Sequence, residues 1–348
     1  MSKPRRAAVT SVDVAREAGV SQSVVSRAFS LSPKVPQATR ERIFAAATRL
    51  GYRHNQLARG LITSRSNLLA LVAGGLTNPL HLDMIQTFAR TAQDRGYRVL
   101  LFSAVELQSL DSAIIDILSY RPAGILALAG TPSEAMVAEC HGTGIPLVLV
   151  GRDASDTSAS WVACDNEAAA RQIAELLLEA GHRRFAFLSS RQAETSFSHA
   201  RERGFCEAVL RHGLPAPVVV NGGSSYAGGY AAAATLFGNG QCFDAVFCGG
   251  DAMALGLMDA ARQDFGFAVP ESLSIIGFDD APSASWESYA LTTVRQRVDV
   301  MVAEALDMLL RRSGVESVPA RGRMVPGELV VRRSALLPIG AVSILHTP

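Results

Sequence analysis

From Asn67 onward, apolar runs of strand length alternate along the chain with amphipathic stretches of helical period. The first four runs are "LLALVAG", "YRVLLF", "AGILAL" and "PLVLVG", and the next four are "RFAFLS", "PVVV", "DAVFCG" and "LSIIGF". A helix falls between the first two runs, with Met84, Ile85, Phe88 and Ala92 on one face. Continuous apolar strands that alternate with helices are typical of parallel sheets covered on both faces. The two series therefore predict two α/β lobes.

The first 51 residues follow the helical period instead. Thr10 followed by Asp13 indicates a capping box, and Gly19 is placed to end the first helix in the left-handed conformation. Ser21 is a cap for a second helix, and a third is expected over about 36–50, stopped by Gly51. The positions predicted to point inward are Val14, Ala15, Ala18, Val25, Ala28, Phe29, Ile43, Ala46, Ala47 and Leu50.

Four polar side chains remain outside on the second helix, namely Gln22, Ser23, Ser26 and Arg27. Two short helices joined by a tight turn, with polar residues at the exposed start of the second, are the layout of a helix-turn-helix. The alternative is a small capping bundle in which Arg27 is only a solvated surface charge. The agreement of charge and layout favours the helix-turn-helix.

The overall charge of +1 conceals a strong division along the chain. Residues 1–65 hold twelve Lys and Arg against three Asp and Glu, a net of +9, whereas the rest hold 21 against 29, a net of −8. A compact basic unit attached to an acidic body indicates a polyanionic partner such as nucleic acid.

Length and composition exclude several classes of protein. A chain of 348 residues suggests two or three folding units, and it has no apolar run long enough for a transmembrane helix. The basic start at Met1–Arg6 leads into a mixed polar helix, so we expect no secretory signal, no membrane association and a cytoplasmic protein. The five cysteines contain no CxxC pair and favour buried free thiols over a metal site or disulfide.

Several segments together resemble the lactose-repressor (LacI) type of bacterial transcription regulator. They are "VTSVDVAREAGVSQSVVSRAFS", "KVPQATRERI", "LGYRHNQLARGL", "GHRRFAFL", "GGDAMALG", "VPESLSIIGFDD" and "LTTVRQ". The resemblance spans residues 9–333, and the order and spacing of its motifs are highly specific. It implies an α/β protein with a helix-turn-helix head over residues 1–54, a hinge helix and linker over 55–66, and a two-lobed body over 67–340. One lobe would combine 67–163 with 293–325, and the other 164–292 with 326–340.

By position, the resemblance assigns base reading to Gln22, Ser23 and Arg27. An arginine offers a bidentate fork to guanine, and a glutamine pairs with adenine. The same correspondence places Thr10, Ser21, Ser26 and Thr39 against phosphates, where they fix register without reading sequence. The sequence departs from the family at Ser30, Pro36 and His54, which affects fine contacts and not the class.

The stretch "HNQLARGL" resembles the family's hinge helix, in which a leucine from each of two subunits wedges into the minor groove and kinks the DNA. Leu61 is that position here, with Leu57 and Ala58 beneath it. Gly60 lowers helix stability by about 1 kcal/mol relative to alanine, so we expect a hinge that orders less readily without DNA. The alternative is a plain polar linker with Leu61 in a local contact.

Ligands of open α/β sheets bind beyond the carboxyl ends of the strands, so the expected effector site is the cleft between the lobes. Asp279 follows "SIIGF" and is expected to accept sugar hydroxyls, whereas Asp251 after "VFCGG" is predicted to be a helix N-cap. The resemblance adds Arg201 as an anchor for effector oxygens, with a surface arginine as the alternative. The complete candidate set is Asn78, Leu80, His81, Asp165, Asn166, Arg201, Ser224, Asp279 and Gln296.

Leu80, His81 and Ser224 stand where many relatives carry aromatic residues, which makes the expected pocket less aromatic. Tyr226, Trp286 and Tyr289 are candidates to replace that aromatic surface, although Trp286 fits a core or crossover position equally well.

No catalytic constellation or metal-ligand spacing is recognisable, so we expect neither an enzyme nor a cofactor. The favoured interpretation is a homodimeric, DNA-binding transcriptional regulator, most simply a repressor, controlled by a sugar-like effector. Corepression stays open. A solute-binding module without a DNA role and an α/β enzyme that uses the cleft are the alternatives. The C-terminal segment has no leucine heptads, which favours a dimer over a tetramer.

Overall fold

The computed structural model describes residues 9–29, 33–53, 66–74, 79–104, 107–128, 130–190, 196–311, 320–338 and 340. The chain divides into two compact units, the head (Met1–Ser66) and the body (Asn67–Pro348). Helices covering both faces of parallel sheets, with a helical N-terminal unit, confirm the predicted fold class. No helix in the described ranges is long and apolar enough to cross a membrane.

The described part of the head contains α1 (Ser11–Glu17), α2 (Gln22–Phe29) and α3 (Gln37–Leu50). The predicted capping box is confirmed, because Thr10 accepts the Asp13 N–H while the Asp13 carboxylate accepts the Thr10 N–H at 2.9 Å. Gly19 and Gly51 end their helices with φ of 62° and 71°, which glycine adopts without a steric penalty. The fully buried side chains are Val14, Val25, Ala28, Ile43 and Ala46.

The body alternates strands and helices along its length. In chain order they are β1 (Leu68–Ala73), α4 (Pro79–Asp94), β2 (Arg98–Ser103), α5 (Leu107–Leu118), β3 (Gly124–Ala127), α6 (Glu134–Gly142), β4 (Leu147–Val150), β5 (Ser160–Cys164), α7 (Asn166–Glu179), β6 (Phe185–Ser189), α8 (Ser196–Arg211), β7 (Val218–Asn221), α9 (Tyr226–Phe237), β8 (Ala245–Cys248), α10 (Asp251–Gln263), β9 (Ser274–Ile276), β10 (Thr293–Arg295), α11 (Val298–Arg311), β11 (Gly322–Val325) and β12 (Glu328–Val330).

Two parallel sheets define two lobes of the body. The N-lobe is built on the sheet ordered β11-β5-β4-β3-β1-β2, and the C-lobe on the sheet ordered β7-β6-β8-β9. Alternate residues of β1 point to opposite sides of the sheet. Leu69 and Leu71 pack with Phe88 of α4, whereas Ala70 and Val72 pack with Ile114 of α5. The eight apolar runs of the sequence are therefore all strands, as predicted.

Two strands connect the lobes, and we call β10 and β12 the crossover strands. They form a two-stranded antiparallel sheet in which Val294 lies opposite Leu329. The first leads from the C-lobe to α11, which packs beside β3, β4 and β5 of the N-lobe. The second, β12, follows β11. After β12 the chain returns to the C-lobe, where the Ile275 N–H of β9 donates to the Ser334 carbonyl at 2.7 Å.

Gly229 and Gly256 have a packing explanation. A Cβ at Gly229 would lie 2.1 Å from the Met253 carbonyl oxygen, and one at Gly256 would lie 2.0 Å from that of Tyr226. These glycines allow α9 and α10 to approach backbone to backbone in the C-lobe.

All five cysteines are free. Cys140, Cys164 and Cys248 are buried as predicted, whereas Cys206 is half-buried and Cys242 is exposed, so the buried assignment is wrong for Cys242.

Candidate functional site

Four of the predicted effector-site residues form one polar cluster, which we call the cleft cluster: Asn166, Arg201, Asp279 and Gln296. Arg201 donates from Nε to Asn166 Oδ1 at 2.8 Å and from Nη2 to Asp279 Oδ1 at 3.3 Å. Gln296 donates from Nε2 to the same Asp279 oxygen at 2.8 Å. The cluster joins α7 and α8 to the loop after β9 and to the end of a crossover strand.

Arg201 is buried, so the alternative of a surface arginine on an amphipathic helix is wrong. Its guanidinium lies 3.5 Å from the centroid of the Phe278 ring, and its Nη1 donates to the Gly249 carbonyl at 2.6 Å. Burial lowers the pKa of Arg201, while the Asp279 carboxylate opposes that shift. A guanidinium stays protonated in proteins, so the cluster contains a fixed buried positive charge.

Asp279 is the acidic partner of Arg201 in a buried ion pair. Burial raises the pKa of Asp279, whereas Arg201, the Gln296 amide and His81 all lower it. Its backbone has a φ of 109°, in the region that favours glycine, and its N–H donates to the Val294 carbonyl at 2.8 Å. A carboxylate fixed in a strained backbone at the end of a strand is a common feature of ligand sites.

His81, on the first turn of α4, contributes an imidazole from the N-lobe. Its Nδ1 lies 3.1 Å from the Gly74 carbonyl oxygen, so Nδ1 carries the proton of that bond. Leu80 is half-buried against the apolar core, and Ser224 donates to the Ser190 carbonyl at 3.4 Å with a φ of 59°.

Two further candidates, Asp165 and Asn78, are not part of the cleft cluster. Asp165 is the N-cap of α7, where its Oδ1 accepts the Ala168 N–H at 3.0 Å. Its predicted contact with the effector therefore remains a prediction. Asn78 lies outside the described residues.

The three aromatic candidates do not belong to the cleft cluster. Tyr226 and Tyr289 donate their hydroxyls to Asp259 at 2.7 and 2.8 Å, and Asp259 lies about 12 Å along α10 from Asp251. Trp286 is 60% exposed, so it is not a core residue. Asp259 fixes the hydroxyl ends of the two tyrosines, and the suggestion that these rings replace the missing aromatic surface remains a prediction.

Asp251 is not a helix N-cap, contrary to the prediction. Gly250 occupies the cap position, and Asp251 is the first residue of α10. Its carboxylate accepts the Ala281 N–H and the Thr293 hydroxyl, both at 2.6 Å. Burial and the neighbouring Asp279 raise its pKa to about 8. The local motif "GGD" suggested a cap, but partners distant in sequence bind the side chain.

The sequence also missed Asp280. This residue bonds to Arg295 at 2.8 Å and to Arg332 at 2.7 Å. The adjacent aspartates in "FDD" could have indicated it. A second carboxylate after a buried strand needs polar partners just as the first does. Within the ranges described above, no three His, Cys, Asp or Glu side chains are grouped as metal ligands would be.

The proposed base-reading residues Gln22, Ser23 and Arg27 are all exposed at the surface of α2. Gln22 donates to the Ser11 hydroxyl at 2.9 Å, and Arg27 donates from Nε to the Ser23 carbonyl at 3.2 Å. Both side chains therefore make a hydrogen bond within the head. The guanidinium of Arg27 has further N–H donors, which are of the kind that bind base acceptors.

The predicted phosphate contacts are distributed over the three helices of the head: Thr10 caps α1, Ser21 directly precedes α2, Ser26 lies on α2 and Thr39 lies on α3. Ser21 shares a 2.9 Å hydrogen bond with Ser23, while Thr10 donates its hydroxyl to Asp13 at 2.7 Å. Ser26 and Thr39 are half-buried. The hinge candidates Leu57, Ala58 and Leu61 lie outside the described residues.

Comparison with known families gives two matches. The family described as "Bacterial regulatory proteins, lacI family" matches residues 11–55, and the "Periplasmic binding protein-like domain" matches residues 174–335. The first match covers α1 to α3, and the second covers most of the C-lobe and both crossover strands.

Relatives match nearly the whole chain. Catabolite control protein A of Priestia megaterium is 30% identical over 94% of this chain and 99% of its own length. The HTH-type transcriptional repressor CytR of Escherichia coli K12 is 30% identical over 96% of this chain and 98% of its own. The second of these relatives is, by its name, a transcriptional repressor.

Solved structures show the same fold. A lac repressor dimer bound to operator and the anti-inducer ONPF superposes with a TM-score of 0.85 at 24% identity, covering 94% of this chain and 99% of the other. A complex of the transcriptional regulator CelR with cellobiose has a TM-score of 0.70 at 27% identity, with the same coverage.

Proposed function

Because this chain belongs to the lacI family of bacterial regulatory proteins, we propose that it is a transcriptional repressor whose affinity for operator DNA changes when a sugar-like molecule binds between its lobes. The observation that carries the proposal is the exposed row of Gln22, Ser23 and Arg27 on the second helix of a head with a net charge of +9 over residues 1–65. A positively charged unit with an exposed polar helix fits the major groove.

The DNA contacts divide by chemistry. Gln22, Ser23 and Arg27 would read base edges, and Thr10, Ser21, Ser26 and Thr39 would contact phosphates. Leu57, Ala58 and Leu61 would form the minor-groove hinge, an assignment that rests on the sequence alone. A protein with this role would act in the cytoplasm, where operator DNA is found.

The effector would bind at the cleft cluster, with Asp279 and Arg201 as the charged partners. A carboxylate beside a guanidinium offers acceptor and donor groups to vicinal hydroxyls, as sugar-binding sites require. His81 and Leu80 would contribute from the N-lobe, and Ser224 from the C-lobe. The cellobiose bound by the related CelR supports a sugar-like effector here.

A homodimer would bring two heads to one operator, as in the lac repressor dimer. The edge strand β2 of the N-lobe sheet supports a dimer face, because Leu101 on it is 52% exposed and Ile115 on α5 is 58% exposed. An unpaired edge strand with exposed apolar side chains is normally covered by a partner.

The competing solute-binding module does not account for the family match over residues 11–55. The cleft alone would fit such a module, whereas the relatives resemble this chain over both head and body. The family therefore favours a regulator with a ligand-binding body.

The test is selection of bound duplexes from a random DNA pool, followed by titration of the enriched duplex. Cellobiose and a series of other sugars and sugar acids would then be added to the complex at constant salt. A repressor relieved by its effector loses affinity for the selected duplex, and a corepressed one gains it. Equal affinity for selected and scrambled duplexes, with and without these compounds, would refute the proposal.

A further inference from the structure

A four-residue turn after β9, Phe278–Ala281, contains two adjacent carboxylates with different partners, and we call it the coupling turn. Asp279 belongs to the cleft cluster, whereas Asp280 binds two arginines. Both aspartates have positive φ, 109° and 54°, although neither is a glycine. Such backbone persists only where surrounding contacts fix it.

The partners of Asp280 lie on the crossover segments. Its Oδ2 accepts Nε of Arg295 on β10 at 2.8 Å, and its Oδ1 accepts Nη2 of Arg332, two residues after β12, at 2.7 Å. Arg332 also donates to the Leu291 carbonyl at 2.7 Å, and Arg295 lies 3.5 Å from Glu328 of β12. One carboxylate thus links both strands that join the lobes.

Asp251 holds the turn from the other side. Its N–H donates to the Phe278 carbonyl at 2.9 Å, and its carboxylate accepts the Ala281 N–H at 2.6 Å, so it contacts both ends of the turn. The same carboxylate accepts the hydroxyl of Thr293 on β10 at 2.6 Å. The turn and the crossover strand are therefore fixed to one helix N-terminus.

We propose that the coupling turn transmits effector occupancy to the lobe connections, with Asp280 as the positioning residue that converts a displacement at Asp279 into a displacement of β10 and β12. The proposal rests on the proposed function for its effector and operator. Asp279 and Asp280 share one peptide unit, and a planar peptide moves as a rigid body. A ligand that shifts the backbone at Asp279 therefore also displaces the peptide unit that it shares with Asp280, and this displacement changes the position of the Asp280 carboxylate relative to Arg295 and Arg332.

This arrangement meets the physical requirement for coupling. A ligand shifts an equilibrium only by interacting differently with two states, and the signal must reach an element with two arrangements. The crossover strands are that element, because any rotation of one lobe against the other changes their backbone. Asp280 lies outside the cleft cluster, so its role is separable from ligand contact.

The test compares Asp280→Asn with a matched control in the full-length protein. Asp307 on α11 is likewise an aspartate beside two arginines, Arg95 at 2.5 Å and Arg311 at 3.8 Å, but both lie in the N-lobe. Hydrogen exchange of residues 292–298 and 328–333 is measured without ligand. Asp280→Asn should accelerate exchange there about 10-fold or more, as expected when a hydrogen bond between charged groups is lost from a segment, while Asp307→Asn should leave those segments at the wild-type rate.

Arg332→Gln removes the other side of the same interaction. It should reproduce the Asp280→Asn exchange pattern, and the double variant should exchange no faster than either single variant. Asp280→Asn should bind the sugars of the titration above nearly as tightly as the wild type does, as measured by calorimetry. In this variant, however, the sugars should no longer change the affinity for the selected duplex.

Wild-type rates in residues 292–298 and 328–333 of Asp280→Asn would overturn the proposal. So would an unchanged response of duplex affinity to a compound that both wild type and variant bind. A wild-type protein that binds no selected duplex would refute the proposed function instead, and the exchange comparison would still decide whether Asp280 holds the crossover strands.

Discussion

The Arg201 guanidinium lies over the face of Phe278, 3.5 Å from the ring centroid, and donates sideways to the carboxylate of the next residue, Asp279, at 3.3 Å. The ring removes water from one face of the cation while the carboxylate and the Gly249 carbonyl satisfy its edge. Stacking on an aromatic face and in-plane hydrogen bonding use the two different surfaces of a planar guanidinium. The pair therefore gives a rigid polar wall on the C-lobe side.

Arg201→Met should lower the free energy of unfolding by about 3–5 kcal/mol, because it leaves Asp279 buried without its cation. Methionine retains the apolar contact with Phe278, but the variant also removes the donors to Asn166 and the Gly249 carbonyl, so the part of the loss that is due to charge is the part that the double variant recovers. Urea denaturation measures it, and the double variant Arg201→Met with Asp279→Leu should recover most of the loss. A loss below about 1 kcal/mol, the value typical of exposed pairs, would show that the buried pair is not coupled.

Asp251 should make the body less stable as the pH rises. Its pKa in the folded protein is raised to about 8 from 3.8, so the folded state holds a proton that the unfolded chain has lost. Stability from this group is complete below about 3.8 and is lost as the pH rises through about 8. Urea midpoints across that window should fall with pH in the wild type and fall less in Asp251→Asn.

That variant changes one hydrogen bond at the same time. Asparagine can still accept the Thr293 hydroxyl, but its amide cannot accept the Ala281 N–H, which costs about 1–3 kcal/mol at every pH. The diagnostic quantity is therefore the slope with pH and not the midpoint itself. An identical slope in the two proteins would show that Asp251 does not titrate in this window.

Local pattern predicted the elements well where residues close in sequence decide the outcome. The capping box joins Thr10 to Asp13, three positions later, and most of the apolar runs from Leu68 to Ile276 are strands buried on both faces, whereas the edge strands β2 and β7 are partly exposed. The short crossover strands escaped prediction, since β12 has only three residues and its partner β10 lies more than thirty residues earlier.

The reliance on residues close in sequence also explains which site residues were predicted correctly and which were not. Asp279 was a candidate because it follows a strand, and Arg201 was a candidate because of its position in the family, and the two side chains are paired in the fold. Asp251 was misassigned because "GGD" is a local signal, whereas its carboxylate is bound by Thr293, 42 residues away. Tertiary contacts override local preference wherever a polar side chain is buried, and no window of the sequence contains that information.

Arg27→Ala should relax operator specificity at one base pair by about 1–3 kcal/mol. The exposed guanidinium is fixed by its bond to the Ser23 carbonyl, which orients it without neutralising it. Anisotropy titrations compare the selected duplex with duplexes changed at single positions. Arg16→Ala, an exposed arginine of α1, is the control for loss of charge alone, and it should weaken all duplexes alike. An equal loss on operator and random DNA for Arg27→Ala would assign it to phosphate contact.

Leu101→Asp should convert the dimer to a monomer. The side chain is 52% exposed on the edge strand β2, where a charge would be desolvated inside any apolar interface formed with a second copy. Leu210 on α8 is 51% exposed in the C-lobe and provides the matched control, since Leu210→Asp adds the same charge away from the sheet edge.

Sedimentation velocity gives the mass of each variant, and titration of the selected duplex gives its affinity. The monomer should bind that duplex much more weakly, because one head contacts one half-site and loses the effective concentration supplied by the second. If Leu101→Asp remains a dimer while Leu210→Asp dissociates, the interface lies on α8 and the β2 edge is ordinary solvent-exposed surface.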